Sequence, residues 1–249
     1  MEIVRSFYRK LFPIKIRQFV WFLRNLISHI FSDRLPEKWS FDYEDYWIER
    51  VKNQQDGVSY PEILDICSHL ISHNARVLDI GCGSGQFLKQ LSDLIPIQAV
   101  GVDISNKAVE IAKKQGIDAH VRNACQDKLS ELGDFEFITI LEVLEHINNA
   151  EEVLFNISKT FQRSIIIISI PNTGYISSRM RMLFGRFPRQ WIIHPSEHLR
   201  FWTEHDFKIT AQGIGYEILN IIPVRGYSIL AKWRSSLFAE VLIFVLKAK

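Results

Sequence analysis

Three alternating glycines, Gly81, Gly83 and Gly85, follow the largely apolar run Val77–Ile80. Glycine permits tight turns, and because it has no Cβ, a ligand can approach its backbone closely. A helix that begins directly after such a loop adds free N–H groups and the positive end of its dipole. The pattern therefore predicts a ligand-binding turn between a buried strand and a helix. The alternative is a glycine-rich turn that binds nothing.

Two carboxylates near this loop narrow the choice of ligand. A dinucleotide-binding loop needs Gly or Ala at position 86, where this chain has Gln86. Asp79 would repel a pyrophosphate but would attract an ammonium or sulfonium group. Asp103 ends the next apolar run, 18 residues after Gly85, where an acid can accept both ribose hydroxyls of an adenosine compound. Together the two acids favour S-adenosylmethionine (SAM) over NAD.

The elements that must position this loop alternate along the chain. Short runs rich in Val, Ile and Leu predict strands, and helical spacing of apolar residues predicts helices. The predicted strands are residues 76–80, 97–102, 117–121, 135–140, 165–170, 217–222 and 238–246, and the predicted helices are residues 61–72, 85–94, 106–115 and 149–161. Near-continuous apolar strands separated by helices indicate a parallel sheet covered on both faces.

We therefore expect an α/β fold with a doubly wound, Rossmann-like sheet, mostly parallel with an antiparallel C-terminal strand. Ligands of such sheets bind beyond the carboxyl ends of the strands. Residues 1–60 are predicted to form an N-terminal helical extension and connector. Residues 61–249 are predicted to form the ligand-binding domain, in which an insert at about 172–203 covers the substrate as a lid.

The composition excludes several classes of protein. Of the 249 residues, 47% are hydrophobic and 23% are charged, which is typical of a globular chain and not of a disordered or fibrous one. Cys67, Cys82 and Cys125 lack CxxC spacing, so they predict neither a disulfide framework nor a zinc knuckle. The apolar runs are too short for a signal peptide or a spanning helix, and we expect a cytoplasmic protein.

Positive charge is concentrated at the N-terminus. Residues 1–35 contain seven Lys and Arg against two acids, whereas the remainder has 23 against 26, so no nucleic-acid partner is expected. Apolar residues from Ile16 to Ile30 recur at helical spacing, which predicts a basic amphipathic helix. Three alternatives stay open for it: peripheral contact with the inner face of the membrane, packing on the domain, or packing on a second subunit in a homodimer.

Residues 61–249 resemble the class I SAM-dependent methyltransferases. The stretch 77–87 is similar to the first motif of that superfamily, and Asp103 is similar to its ribose-binding acid. Residues 134–147 are similar to its fourth-strand motif, which here ends in Glu-His. The resemblance implies SAM as the cofactor and methyl transfer as the activity.

Within the superfamily, segments at 170–175, 179–188 and 198–203 resemble the MetW-like branch. The resemblance implies a small-molecule or glycan-type acceptor, with transfer directed to a hydroxyl or a carboxyl oxygen. The alternative that it implies is a non-catalytic partner or regulatory subunit of a biosynthetic enzyme.

The resemblance also implies cofactor contacts after four predicted strands. They are Asp79, Gly81, Cys82, Gly83, Gly85, Asp103, Ile104, Ala124, Cys125, Leu141 and Glu142. The superfamily often has an acid after the third strand for the adenine amino group, but Ala124 stands at that position here. We therefore expect backbone groups around Ala124 and Cys125 to contact the adenine.

Two histidines are the candidate catalytic residues. Histidine is the usual proton acceptor near neutral pH when the methyl acceptor is a hydroxyl. We prefer His198, which follows the fifth predicted strand, over His146, which follows the fourth. For His146 the alternative is packing against, or capping, the helix that begins near Asn149. Histidines at 194, 198 and 205 have no recognisable metal spacing, so no metal site is predicted.

The predicted substrate contacts are Asn172, Arg179, His194 and Arg200. Four arginines lie between residues 179 and 189, and no acid occurs between Asn172 and Glu197. This stretch is predicted to close over an anionic acceptor, because guanidinium groups bind carboxylates and phosphates well. The alternative is a solvated helix face.

Overall fold

The computed structural model describes residues 61–189 and 197–249, together with Leu23, Arg24, Ile27, Ser28, Ile30 and Phe31. The six N-terminal residues are helical. Most of the predicted extension and the predicted substrate contact His194 lie outside the described residues. Among the residues described, no helix has the length and apolar character that crossing a bilayer requires.

Within the part of the chain that the structure describes, seven strands form one sheet. They are β1 (Arg76–Ile80), β2 (Gln98–Asp103), β3 (Asp118–Val121), β4 (Phe137–Leu141), β5 (Ile165–Pro171), β6 (Tyr216–Val224) and β7 (Val241–Ala248). The helices are α1 (Pro61–Leu70), α2 (Gln86–Leu94), α3 (Asn106–Lys114), α4 (Ala150–Thr160), α5 (Ile176–Leu183), α6 (Glu204–Ile214), α7 (Ser228–Trp233) and α8 (Ser235–Phe238). Short 3-10 turns occur at Leu129–Leu132 and Leu144–His146.

The strand order is β3-β2-β1-β4-β5-β7-β6. Strands β1 to β5 pair in parallel, and β7 runs antiparallel to both of its neighbours, β5 and β6. This confirms the predicted doubly wound sheet with an antiparallel C-terminal strand. The chain moves outward from β1 to β3 and then returns to β4, so the order reverses between β1 and β4. Crevices that bind ligands form at such reversals, beyond the carboxyl ends of the strands.

The central strands are apolar on both faces because helices cover both. In β5, Ile166, Ile168 and Ile170 belong to a core that includes residues of α4 and α6. Ile167 points into a second core that includes residues of α1 and α2. A continuous isoleucine run is therefore the pattern expected of a central parallel strand.

Most predicted boundaries differ from the structure by one or two residues, and the largest difference is at the start of β7. The apolar run 238–246 was expected to be a strand throughout, but β7 begins at Val241. The N–H groups of Phe238 and Ala239 instead donate to the carbonyls of Arg234 and Ser235, as in a helix. An apolar run alone does not distinguish the end of a buried helix from the start of a buried strand.

Candidate active site

The glycine loop follows β1 and is hydrogen-bonded to the end of β2. The N–H groups of Gly81 and Cys82 both donate to the carbonyl of Val102, at 2.8 and 3.0 Å. Gly81, Gly83 and Gly85 have φ values of 77°, 53° and 77°. These left-handed conformations are open to glycine and strained for most other residues, which explains the alternating spacing.

Two of the glycines are also needed for packing. A Cβ at Gly81 would lie 2.4 Å from Cγ2 of Val143, and one at Gly85 would lie 2.9 Å from Cβ of Ala112. Val143 lies just after β4, so its contact with Gly81 holds the glycine loop against the turn that carries His146.

The loop also contains polar side-chain atoms without partners. Ser84 Oγ and Gln86 Oε1 are buried without a hydrogen-bond partner among the described residues. These orphaned polar atoms fit a loop that receives a polar ligand.

Asp103 connects the glycine loop to the end of β2. Its carboxylate accepts the N–H of Gly83 at 2.8 Å and the N–H of Ser105 at 2.9 Å. Ser105 in turn caps α3, where its Oγ accepts the N–H of Ala108 at 3.1 Å. A carboxylate can accept about four hydrogen bonds in all, so this geometry fits an acid that also binds ribose hydroxyls.

Asp79 is 3% exposed and lies on β1 beneath the loop. Thr139 Oγ1 donates to its carboxylate at 2.6 Å, and no salt bridge between described residues includes it. Burial raises the pKa of Asp79 to about 7, the bond from Thr139 lowers this pKa, and the charge of Asp103 raises it. A buried carboxylate without a cationic partner fits a site for a positively charged ligand.

Glu142 follows β4 in an unusual backbone conformation, with φ of 54°. Its N–H donates to Ser169 Oγ at 2.8 Å, and that hydroxyl donates to Glu142 Oε1, also at 2.8 Å. Burial raises the pKa of Glu142 to about 7; Ser169 and Arg225 lower it, and the charge of Glu240 raises it. A strained non-glycine residue that is held this firmly often belongs to a functional site.

His146 and His198 lie together beyond the end of β4. Their rings meet edge to face, with centroids 4.8 Å apart. His146 Nδ1 donates to the carbonyl of Glu197 at 2.8 Å, and the N–H groups of Leu199 and Arg200 donate to the carbonyl of Glu145 at 2.7 and 3.0 Å. Three bonds to the backbone therefore hold the loop that carries His198 against the turn that carries His146.

Glu145 was not singled out from the sequence, and it is the most buried member of this group. The residue is 1% exposed, and Oε2 has no hydrogen-bond partner among the described residues. Burial raises the pKa of Glu145 well above its ordinary value, and the charge of Glu142 raises it further. The signal available in the sequence was the adjacency of an acid and a histidine at the end of a predicted strand.

A family model described as a methyltransferase domain matches residues 52–221. The chain belongs to the SAM-dependent methyltransferase family. The fold and the glycine loop agree with this assignment, which makes SAM the cofactor. The MetW-like branch stays a prediction.

Curated relatives match parts of this methyltransferase. The ubiquinone biosynthesis O-methyltransferase of Pelagibacter ubique is 27% identical over 124 residues, which are 48% of this chain and 51% of that protein. The mitochondrial ubiquinone biosynthesis O-methyltransferase of Saccharomyces cerevisiae is 28% identical over 131 residues, which are 49% of this chain and 42% of that protein. The match thus spans about half of each relative.

Solved structures share the fold at low sequence identity. A TehB-like SAM-dependent methyltransferase from Corynebacterium glutamicum has a TM-score of 0.58 at 20% identity, over 83% of this chain and 98% of that one. The small RNA methyltransferase HEN1 has a TM-score of 0.60 at 22% identity, over 78% of this chain and 26% of that one. At these identities the likeness shows the fold alone.

The methyltransferase brings its predicted cofactor residues to the carboxyl ends of four neighbouring strands. Ile104, which follows β2, is 54% exposed although Asp103 and Ser105 beside it are buried. The backbone after β3 is fixed nearby, because Cys125 N donates to Asn123 Oδ1 at 2.9 Å. An exposed apolar side chain next to ordered polar backbone suits an adenine ring. These contacts, including Leu141 and Cys82, stay predictions.

The predicted substrate residues have structural partners. Asn172 is fully buried; its amide donates to the carbonyls of Ala239 and Ser236 at 2.8 and 3.2 Å and accepts the N–H of Gly174 at 2.9 Å. These bonds give Asn172 a role in holding the loop, and its predicted contact with substrate stays a prediction. Arg179 Nε donates to the carbonyl of Gly174 at 2.5 Å.

Other arginines of the predicted lid also bind protein groups. Arg181 is fully buried, and its guanidinium donates to the carbonyls of Phe187 and Ile30 at 2.7 and 2.9 Å. Arg186 donates to the carbonyl of Phe31 at 3.2 Å. The prediction of an arginine-rich lid for an anionic acceptor is corrected for Arg181, because its burial removes it from any acceptor. Arg200, a further predicted contact, pairs with Glu151.

We expect Asp103→Ala to lower the affinity for SAM by about 10- to 150-fold, since charge-assisted hydrogen bonds contribute about 1.5–3 kcal/mol. Calorimetric titration with SAM measures this loss. Asp103→Asn retains one acceptor oxygen and should lose less. Wild-type affinity in a folded Asp103→Ala variant would remove this carboxylate from the cofactor site.

Proposed function

We propose that this methyltransferase acts on a hydroxyl oxygen of a small acceptor molecule. The observation that carries the proposal is that His146 and His198 lie together beyond the end of β4, next to the turn that packs on the glycine loop. Val143 packs on Gly81 and directly precedes the turn of His146. A proton acceptor therefore lies at the reversal of the sheet, where the family binds its cofactor.

SAM, when bound, supplies a methyl group that leaves its sulfonium sulfur for the acceptor oxygen, while the electron pair of the broken C–S bond stays on sulfur. The carboxylates of Asp79 and Asp103 would hold the cationic and ribose portions of that ligand. His146 Nδ1 carries a proton and donates a hydrogen bond to the carbonyl of Glu197, which orients the ring. His198 would accept the proton that the acceptor hydroxyl loses, as general bases do near neutral pH.

The relatives support oxygen as the attacking atom. The curated proteins from Pelagibacter ubique and Saccharomyces cerevisiae are both named as O-methyltransferases. We extend oxygen-directed transfer to this chain, and we leave the identity of the acceptor to experiment. A carboxyl oxygen is the competing target, because a carboxylate would require no proton acceptor.

The test uses SAM that carries a labelled methyl group, incubated with panels of small molecules that offer hydroxyl or carboxyl groups. Labelled product supports enzymatic transfer. A methyl ether survives mild base, whereas a methyl ester releases labelled methanol, so hydrolysis separates the two oxygen targets. SAM binding without turnover on either panel or in a cell extract would favour the non-catalytic partner role.

We also propose that an apolar patch beside α5 contacts an anionic membrane surface. The patch consists of Ile27, Phe31, Leu183, Phe184 and Phe187, of which Leu183 is 74% exposed. The rings of Phe31 and Phe184 meet at a centroid distance of 5.6 Å, so the N-terminal helical residues and α5 share it. The seven basic residues of segment 1–35 supply attraction to anionic lipid.

We expect the full chain to float with vesicles that contain phosphatidylserine and to detach at high salt, because salt screens surface charge. Replacing Leu183 and Phe187 together with glutamine should weaken vesicle binding by at least about tenfold, since buried apolar side chains contribute about 1.5–3 kcal/mol each. Ile209→Gln, at a comparably exposed apolar position on α6, is the matched control. Equal flotation of all three proteins would show that the patch does not contact the membrane.

A further inference from the structure

Glu145, His146 and His198 form a cluster that no step of the proposed function uses as a whole. One ligand-type atom from each side chain lies within 4.8 Å of the other two. Ligands of a common divalent ion lie about 2.0–2.2 Å from it, hence about 3–4.3 Å from one another. Small side-chain rotations therefore bring the three atoms to coordinating distance.

The cluster contains a buried carboxylate oxygen that has no hydrogen-bond partner among the described residues. Because a carbonyl can only accept, the bond to Glu197 places a proton on His146 Nδ1. His146 Nε2 lies 3.9 Å from Glu145 Oε1. The oxygen without a partner is Glu145 Oε2. A cation bound at this point would give the buried carboxylate of Glu145 the partner that Oε2 lacks.

Backbone hydrogen bonds already hold the two histidines in the way that metal ligands are usually held. A metal-binding histidine usually donates its second N–H to a carbonyl or carboxylate, as His146 does to Glu197. The carbonyl of Glu145 accepts the N–H groups of Leu199 and Arg200, the two residues that follow His198, and so holds the loop in place. The cluster therefore requires little ordering when an ion binds.

We propose that Glu145, His146 and His198 bind one divalent transition-metal ion. Two imidazoles and one carboxylate suit ions such as Zn²⁺ or Co²⁺ and leave open coordination positions. With the ion bound, His198 would be a ligand and not the proton acceptor. An acceptor hydroxyl in an open position would instead release its proton to water, because a bound cation lowers the pKa of a coordinated oxygen. That consequence rests on the proposed methyl transfer, whereas ion binding itself does not.

The experiment titrates the full-length protein, without a polyhistidine tag and freed of metal by a chelator, with Co²⁺ in the absence of SAM and acceptor. We expect one ion per chain by calorimetry and a visible absorption band of the bound Co²⁺. His198→Ala and Glu145→Gln should each weaken binding by at least about tenfold. His205→Ala, which removes an exposed histidine on α6, and Cys125→Ser, which removes the least buried thiol, should bind as the wild type does.

Absence of Co²⁺ binding, or binding retained in a folded His198→Ala variant, would overturn the metal site. His198 lies on a partly exposed loop, so this variant tests the site even if the buried Glu145→Gln variant fails to fold. Methyl transfer by the chelated wild type, measured with labelled SAM, reports separately on the proposed function. The two proposals therefore fail by different readouts.

Discussion

Replacing His198 with alanine should lower the rate of methyl transfer to a hydroxyl acceptor by about 10²–10⁴-fold, the usual effect of losing a proton acceptor. The affinity for SAM should stay close to the wild-type value, because the glycine loop and Asp103 are held by their own backbone bonds. Single-turnover methylation at saturating SAM measures the chemical step, and calorimetry measures the affinity.

His146→Ala provides the second arm of the comparison. This variant loses the bond to the carbonyl of Glu197, so the loop that carries His198 should move and the rate should fall as well. His205→Ala, at an exposed position on α6, controls for the loss of a histidine as such. A wild-type rate in His198→Ala would exclude it from the mechanism. A small loss would point to a carboxylate acceptor, which needs only orientation.

The strands and the glycine loop could be predicted because their signals are local. Positive φ at Gly81, Gly83 and Gly85 is a property of the residues themselves, and isoleucine runs report burial on two faces. Parallel order then follows from the alternation with helices. These rules place Asp79 and Asp103 near one another without any knowledge of side-chain contacts.

The cluster at the end of β4 could not be predicted in the same way. His146 and Glu197 are bonded although they lie 51 residues apart, and no periodicity records that contact. The sequence therefore presents His146 and His198 as alternatives, whereas the structure makes them neighbours. Similarly, the charge of Arg181 suggests exposure, but carbonyls of Phe187 and Ile30 satisfy its guanidinium in the interior.

The affinity for SAM should increase with pH through about pH 7. In the free protein, burial raises the pKa of Asp79 to about 7, so the carboxyl is largely protonated below that pH. A cationic ligand favours the ionised form, so binding releases this proton. Affinity should therefore fall by about 50-fold between pH 7 and pH 5, and calorimetry in buffers of different ionisation enthalpy reports the released proton.

The two thiols near Asp79 do not imitate this dependence, whereas Glu142, whose pKa burial also raises to about 7, is the competing group that the Asp79→Asn variant distinguishes. Cys67 on α1 and Cys82 in the glycine loop both feel its charge, but burial raises the pKa of Cys67 to about 12 and that of Cys82 well above its usual value. Both thiols therefore stay neutral near pH 7. The α-amino group of SAM, with an ordinary pKa near 8, stays cationic between about pH 5 and pH 7.

Asp79→Asn should remove this pH dependence and weaken SAM binding at about pH 8 by about 10- to 150-fold, the effect of losing a charged partner. The same variant should be more stable than the wild type at that pH. A carboxyl whose pKa is higher in the folded state costs stability as pH rises from about 4 to about 7, on the order of 4 kcal/mol here. Thermal melts should therefore diverge at about pH 8 and converge at about pH 4. If Asp79→Asn keeps the pH-dependent affinity of the wild type, another group carries the proton. If Asp79→Asn melts at a lower temperature than the wild type at about pH 8, Asp79 is already paired with a cationic group in the free protein.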